Sequence, residues 1–109
     1  MIRKAEMSIK ILLADNQSIV RKSLSEQFNK VKDIIVSAET DSGYSLFELL
    51  FLHAPDILIF DIDMDGHRGF EILKEVTNKY SERVRAITFT ENKDKAAIYN
   101  FFHYIYLFL

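Results

Sequence analysis

The sequence predicts an α/β domain built on a doubly wound parallel sheet. Short runs of Ile, Val, Leu and Phe occur four times along the 109 residues. The run at residues 57–60 is continuously apolar, which is typical of a strand that is covered on both faces. Each run is followed by a segment whose apolar residues recur at helical spacing. Four βα units in succession predict three layers of helix, sheet and helix, joined by right-handed crossovers.

The first unit is a strand at residues 9–14 and a helix that begins near Ser18. The strand runs directly into Asp15 and Asn16. Serine is one of the residue types that cap helix N-termini, so we expect Ser18 to cap this helix. The apolar face of the helix is predicted from the spacing of Val20, Leu24, Phe28 and Val31.

The second unit is a strand at residues 34–38 and a helix at residues 44–53. Pro55 ends this helix, because proline disfavours helical geometry in the residue before it. The spacing predicts that one face of the helix carries Leu46, Phe47, Leu50 and Phe51.

The third and fourth units complete the predicted sheet. A strand at residues 57–60 leads into an acidic loop, and a strand at residues 84–89 ends at Thr90. A fourth helix is predicted at residues 93–102. The inward face of the third helix is predicted to carry Phe70, Leu73, Val76 and Tyr80.

The composition indicates a soluble, cytoplasmic domain that binds neither nucleic acid nor membrane by itself. The net charge is only −2, with positive and negative residues mixed along the chain. There is no cysteine, which excludes disulfides and thiolate chemistry and suits a reducing compartment. Residues 1–6 are too short and too charged for a signal peptide, and no apolar run reaches the roughly 18 residues of a membrane span.

Polar residues stand at three of the predicted strand ends: Asp15 with Asn16, Asp61, and Thr90. The carboxyl ends of parallel strands meet at one edge of a sheet, where open α/β folds bind their ligands. Carboxylates that converge repel each other unless a cation neutralises them, and hard oxygen ligands suit Mg²⁺. This pattern favours phosphoryl transfer, with Asp61 as nucleophile and the Thr90 hydroxyl bound to the phosphoryl group.

Over residues 8–102 the chain resembles the receiver domains of bacterial two-component response regulators. Residues 12–17 (Leu-Leu-Ala-Asp-Asn-Gln) with Val20 and Arg21 are similar to the first strand, acidic pair and first helix of that family. Residues 55–61 (Pro-Asp-Ile-Leu-Ile-Phe-Asp) are similar to its phosphoacceptor strand. Met64 and residues 69–71 match the following loop, and residues 87–90 match the switch strand.

The resemblance implies a fold, a set of site residues and a partner. It implies the flavodoxin-like or CheY-like three-layer fold, with a receiver domain at residues 8–109 after an N-terminal extension at residues 1–7. Asp61 would accept a phosphoryl group from a sensor histidine kinase, and Thr90 would act as the switch residue. Mg²⁺ would be held by Asp15, Asn16, Asp61 and the main-chain carbonyl of Asp63. The subfamily usually carries a helix-turn-helix output domain, which is not found in these residues.

The chain departs from the family pattern at several positions. Asn16 replaces a second acidic residue, Asp65 replaces a proline, and Arg68 replaces an aspartate. The family also places a lysine at the end of a fifth strand, but no lysine follows Lys95. The chain is therefore predicted to be truncated or atypical after its fourth βα unit.

The segment at residues 99–109 is an uncharged, mostly aromatic and aliphatic tail. Exposure of such a surface to water is unfavourable, and so we expect it to form a makeshift fifth strand at residues 104–109 and to be buried in a homodimer.

Three other interpretations of the acidic loop remain open. Asp61, Asp63, Asp65 and Gly66 also fit the opening of an EF-hand calcium loop, although Ile72 stands where that loop needs glutamate. Residues 60–63 also resemble the nucleophile motif of haloacid-dehalogenase-type phosphatases, with Asp61 as nucleophile and Asp63 as acid/base. A degenerate receiver that acts as an interaction or dimerisation module without phosphorylation is the third interpretation.

Overall fold

The computed structural model describes residues 8–61, 64, 69–80, 83–90 and 105–108. Within these ranges the chain forms five strands and three helices. The strands are β1 (Ile9–Ala14), β2 (Ile34–Thr40), β3 (Ile57–Asp61), β4 (Arg85–Thr90) and β5 (Ile105–Phe108). The helices are α1 (Ser18–Asn29), α2 (Gly43–His53) and α3 (Gly69–Tyr80). The alternation of strands and helices predicted from the sequence is confirmed.

The five strands form one parallel sheet in the order β2-β1-β3-β4-β5. The chain first moves outwards from β1 to β2 and then crosses to β3 on the other side of β1. The strand order therefore reverses between β1 and β3, which is the point where sheets of this kind bind ligands. The doubly wound parallel sheet is confirmed, and a fifth strand extends it.

Two hydrophobic cores cover the two faces of the sheet. The larger core contains Leu46 and Leu50 of α2 and Ile72 and Val76 of α3, packed against alternate residues of β1, β3 and β4. The smaller core packs α1, through Leu24 and Phe28, against the opposite face. Its buried members are Ile11, Leu13 and Ile59. The two cores give the three-layer arrangement.

Helix α1 begins differently from the sequence prediction. Ser18 is the first helical residue, and the N-cap is Gln17, whose side chain makes no capping hydrogen bond. The turn is instead held by the Asp15 carboxylate, which accepts a hydrogen bond from the Gln17 N–H at 2.8 Å. At the other end, Val31 lies beyond the helix and is 47% exposed. The predicted roles of Ser18 and Val31 are therefore wrong.

Helix α2 confirms three of its four predicted inward residues. Leu46 and Leu50 are buried and Phe47 packs against the same core, but Phe51 is 78% exposed. Phe47 and Phe51 lie one turn apart on the same side of the helix, but only Phe47 packs against the core. The helix ends at Ala54, which takes a left-handed conformation with φ 43° immediately before Pro55.

Strand β5 confirms the predicted fifth strand for the residues that are described. It pairs in parallel with β4, from Ile87 opposite Ile105 to Thr90 opposite Phe108. The predicted helix at residues 93–102 and the N-terminal extension at residues 1–7 lie outside the described residues. In the described ranges, no helix is long and apolar enough to cross a lipid bilayer.

The two neighbours Leu50 and Phe51 provide a test of the core. Leu50→Ala should lower the free energy of unfolding by about 2–5 kcal/mol, because the side chain is buried between α2 and the sheet. Phe51→Ala should change it by less than about 1 kcal/mol, since that side chain is mostly exposed. Urea denaturation followed by circular dichroism measures both. Equal losses for the two variants would contradict this assignment of the inward face.

Candidate functional site

The carboxyl ends of β1 and β3 form the candidate site. The pairing of Ala14 with Phe60 brings the next residues, Asp15 and Asp61, to the same edge on adjacent strands. Side chains alternate along a strand, so Asp15 lies on the face of Leu13 and Asp61 on the face of Ile59. Because Leu13 and Ile59 belong to the smaller core, both carboxylates lie on the side of the sheet that α1 covers.

A narrow crevice, with no room for a water molecule inside it, lies between these strand ends and α1. Asp15, Asp61 and Arg21 supply its charged lining, and Leu24 and Ile59 are among its apolar walls. These charged residues border the crevice, whose exposed lining is almost entirely apolar.

Asp15 is held in place by its own main chain and by its carboxylate. It is only 8% exposed. Its N–H donates to the Thr40 carbonyl of β2 at 3.0 Å, and its Oδ1 accepts from the Gln17 N–H at 2.8 Å. These hydrogen bonds fix the position of the carboxylate before any ligand binds. Asn16, the next residue, is exposed to solvent.

Arg21 is a site residue that the sequence analysis did not assign. Its Nη1 donates to the main-chain carbonyl of Asp15 at 2.6 Å, and its Nε lies 3.6 Å from Oε1 of Glu39 on β2. The side chain is 20% exposed. The available signal was its position in the first turn of α1, directly after the acidic strand end.

The main chain on either side of Asp61 is anchored as well. Thr88 is fully buried on β4, and its hydroxyl donates to the Phe60 carbonyl at 2.9 Å. After the strand, the Met64 N–H donates to the Asp61 carbonyl at 3.0 Å, and the Met64 side chain is buried in the larger core. Asp61 is thus presented on a short and well-supported stretch of chain. The sequence analysis treated Thr88 only as a member of a strand.

Of the remaining predicted site residues, the structure describes Thr90 but neither Asp63 nor Asp65. Thr90 ends β4, one residue after Phe89, which pairs with Asp61. Asp63 and its main-chain carbonyl lie outside the described residues, as does Asp65. The segment before Asp61 is a strand, whereas an EF-hand loop follows a helix, and so the structure does not support the calcium-loop interpretation.

The donor set at this edge fits a hard cation. Asp15 and Asp61 offer carboxylate oxygens, and Asn16 offers an amide carbonyl. Across the described part of the chain, no three His, Cys, Asp or Glu side chains are grouped for metal binding. A cation bound here would therefore be coordinated by two carboxylates, by amide or main-chain carbonyls, and by water. Mg²⁺ suits this arrangement, because it usually keeps several water ligands and binds few protein carboxylates.

Comparison with known proteins identifies the family. The response regulator receiver domain model matches residues 11–104, which is most of the chain. This chain belongs to the response regulator receiver domain family, and so it is a signalling domain of the kind found in two-component systems.

Curated relatives agree with this assignment. The sensory transduction protein LytT of Oceanobacillus iheyensis is 29% identical over 84 residues, which cover 77% of this chain and 34% of that protein. The transcriptional regulatory protein LnrK of Bacillus subtilis is 33% identical over 90 residues, which cover 83% of this chain and 40% of that protein. The chain thus spans little more than a third of the length of these relatives.

Solved structures show the same fold. The non-phosphorylated receiver domain of RcsB from Escherichia coli superposes with a TM-score of 0.82 at 18% identity, covering 93% of this chain and 81% of that one. The response regulator domain of Thermotoga maritima CheB superposes with a TM-score of 0.81 at 20% identity, covering 93% of this chain and 78% of that one. The predicted CheY-like receiver fold is confirmed.

The hydrogen bond from Thr88 to Phe60 can be tested directly. Thr88→Val keeps the shape of the side chain but removes the hydroxyl donor, and we expect it to lower the free energy of unfolding by about 1 kcal/mol. Chemical denaturation at constant pH measures this loss. Unchanged or increased stability would show that the bond does not support the strand that carries Asp61.

Proposed function

We propose that this chain receives a phosphoryl group on Asp61 from a sensor histidine kinase. The observation that carries the proposal is the meeting of Asp15 and Asp61 at the point where the strand order reverses. Family membership supports the same function. Asp61 ends its strand beside the crevice, so that an incoming phosphoryl donor can approach its carboxylate.

The transfer requires only a nucleophile and a neutralising environment. One carboxylate oxygen of Asp61 attacks the phosphorus of a phosphohistidine on the kinase. An oxygen–phosphorus bond forms while the nitrogen–phosphorus bond breaks, and the imidazole nitrogen leaves with the electron pair and takes a proton from solvent. The hydrogen bonds to the Asp61 and Phe60 carbonyls keep the nucleophile in position during this exchange.

Mg²⁺ is the cofactor that we propose for this site. When bound, it screens the negative charges that the carboxylates and the phosphoryl group bring together. Asp15, Asn16, Asp61 and the main-chain carbonyl of Asp63 would hold it. Asn16 supplies an oxygen but no charge, so we expect weaker Mg²⁺ binding than with two acidic residues at this position.

The switch after phosphorylation would involve Thr90 at the end of β4. The family resemblance implies that its hydroxyl binds the phosphoryl group and that this changes an output surface. On the neighbouring strand β5, the residue opposite Thr90 is Phe108. The fifth strand is therefore present, and its described residues, 105–108, include no lysine.

The wider role concerns proteins or segments beyond the described residues. LnrK is a transcriptional regulator, and two of the superposable structures are of RcsB bound to DNA. We propose that a DNA-binding or other effector region supplies the output, and that this chain signals rather than catalyses, although one relative is a methylesterase. The absence of cysteine fits a reducing compartment such as the cytoplasm. A homodimer through the tail at residues 99–109 remains part of the proposal.

A second candidate function is a receiver that signals by association alone. It is favoured by Asn16 at the metal site and by Phe108 at the end of β5. In this alternative, Asp61 would stay unmodified and the chain would act as an interaction module.

Phosphorylation distinguishes these two functions. Incubation with acetyl phosphate and Mg²⁺ should add the mass of one phosphoryl group to the parent chain, whereas Asp61→Asn should gain nothing, because its amide is not a nucleophile. Intact mass spectrometry reads both, and EDTA should abolish the gain in the parent. Absence of any Mg²⁺-dependent gain in the parent would favour the association-only function.

The charge at position 16 is expected to set the Mg²⁺ affinity. Asn16→Asp should tighten Mg²⁺ binding by about tenfold, which corresponds to about 1.4 kcal/mol, because a carboxylate replaces a neutral amide beside Asp15. Isothermal titration calorimetry measures the affinity. Gln27→Glu, which adds the same charge near the far end of α1, should leave it unchanged. Equal effects of the two substitutions would show that position 16 does not contact the metal.

A further inference from the structure

Arg21 is the charged residue of the crevice that the proposed chemistry has not used. Of the described residues, it is the one cationic residue that lines this crevice with Asp15 and Asp61. Its guanidinium is largely buried and is held against the Asp15 carbonyl at 2.6 Å. Neighbouring strands of a sheet lie about 4.8 Å apart, so this anchor sits only one strand away from Asp61.

The phosphorylated site would need a positive charge in addition to the metal ion. A phosphoryl group on Asp61 would add a dianion next to the buried Asp15 carboxylate. Phe108 ends β5 opposite Thr90, so no amine comes from that position. A guanidinium is always protonated and offers a planar fork of N–H donors that matches phosphoryl oxygens. Among the described residues that line the crevice, Arg21 alone has this chemistry.

Arg21 can exchange one of its two present partners for a phosphoryl group. The Asp15 carbonyl is a neutral acceptor on the fixed main chain, so this contact keeps the guanidinium at the crevice. The pair with Glu39 is long, at 3.6 Å, and the Glu39 side chain is 39% exposed. Ion pairs of this kind contribute little in water, because solvent screens both charges. A phosphoryl dianion is the stronger competitor for the same donors.

We propose that Arg21 is the phosphoryl-binding cation of this site and that it releases Glu39 when Asp61 carries a phosphoryl group. This inference rests on the proposed function of Asp61 and adds to it a named ligand for the phosphoryl oxygens. It also links the site to β2, because Glu39 near the end of that strand loses its partner in the phosphorylated state.

Beryllium fluoride, a phosphoryl analogue, tests the proposal with Mg²⁺ held at saturation. Arg21→Ala should weaken the binding of beryllium fluoride by about tenfold or more. Arg21→Lys should weaken it less, because lysine keeps the positive charge but lacks the planar N–H donors of the guanidinium. Lys22→Ala, which removes the same charge one residue further along α1, should stay within about twofold of the parent. Fluorine NMR titration measures the affinities.

A second measurement separates phosphoryl binding from mere support of Asp15. If Arg21 only positions Asp15, then Arg21→Ala should weaken Mg²⁺ binding, measured by calorimetry without the analogue, as much as it weakens beryllium fluoride binding. Our proposal requires Mg²⁺ affinity to change little. Parallel loss of both affinities would overturn it, and so would equal binding of beryllium fluoride by Arg21→Ala and Lys22→Ala.

Glu39→Gln tests the exchange without altering Arg21, and it remains decisive if Arg21→Ala does not fold. Loss of the competing carboxylate should tighten beryllium fluoride binding by about two- to fivefold. Asp41→Asn, which removes an exposed charge just after β2, is the matched control and should have a smaller effect. Equal effects of these two substitutions would overturn the exchange. A parent chain that neither binds the analogue nor becomes labelled on Asp61 would overturn the proposed function itself.

Discussion

The parallel pairing of β1 with β3 is the contact on which the rest of this structure depends. The register runs from Ile11 opposite Ile57 to Ala14 opposite Phe60, so the two strands end at the same level. Among the described residues, these two strands supply half of the buried hydrophobic side chains and contribute to the core on each face of the sheet. Since β2 lies on the other side of β1, the connecting chains leave in different directions and open a crevice between the strand ends. The same pairing therefore builds the core and brings the carboxylates together.

The charge balance at this edge distinguishes the chain from the family pattern that it resembles. One acidic position carries Asn16, and no lysine lies among the described residues of the fifth strand. Arg21 lines the crevice and donates a hydrogen bond to the main-chain carbonyl of Asp15. A helix that packs against the sheet through Leu24 and Phe28 thus also delivers a cation to the site. Because Arg21 belongs to the first turn of this helix, the packing of the helix also fixes the position of the positive charge.

The strands were well predicted because their apolar runs are long enough to identify them without tertiary information. Four of them begin and end within two residues of the predicted bounds, and the acidic strand ends lie where the runs stop. The helix faces were less well predicted. Helix α2 is apolar nearly all round, so periodicity alone did not separate buried Leu50 from exposed Phe51. At the start of α1, the Asp15 carboxylate holds the turn that Ser18 was expected to cap.

The sequence by itself determined the alternation of strands and helices, the family resemblance, and the candidate residues Asp15, Asn16, Asp61 and Thr90. These follow from local patterns, because a strand end is visible in the chain wherever an apolar run meets polar residues. The tertiary structure alone decided that Arg21 lines the crevice and that Thr88 supports the chain before Asp61. It also decided that Phe108 lies opposite Thr90. Each of these relations joins residues from different strands or helices, and so it depends on strand order, register and helix phase rather than on local sequence.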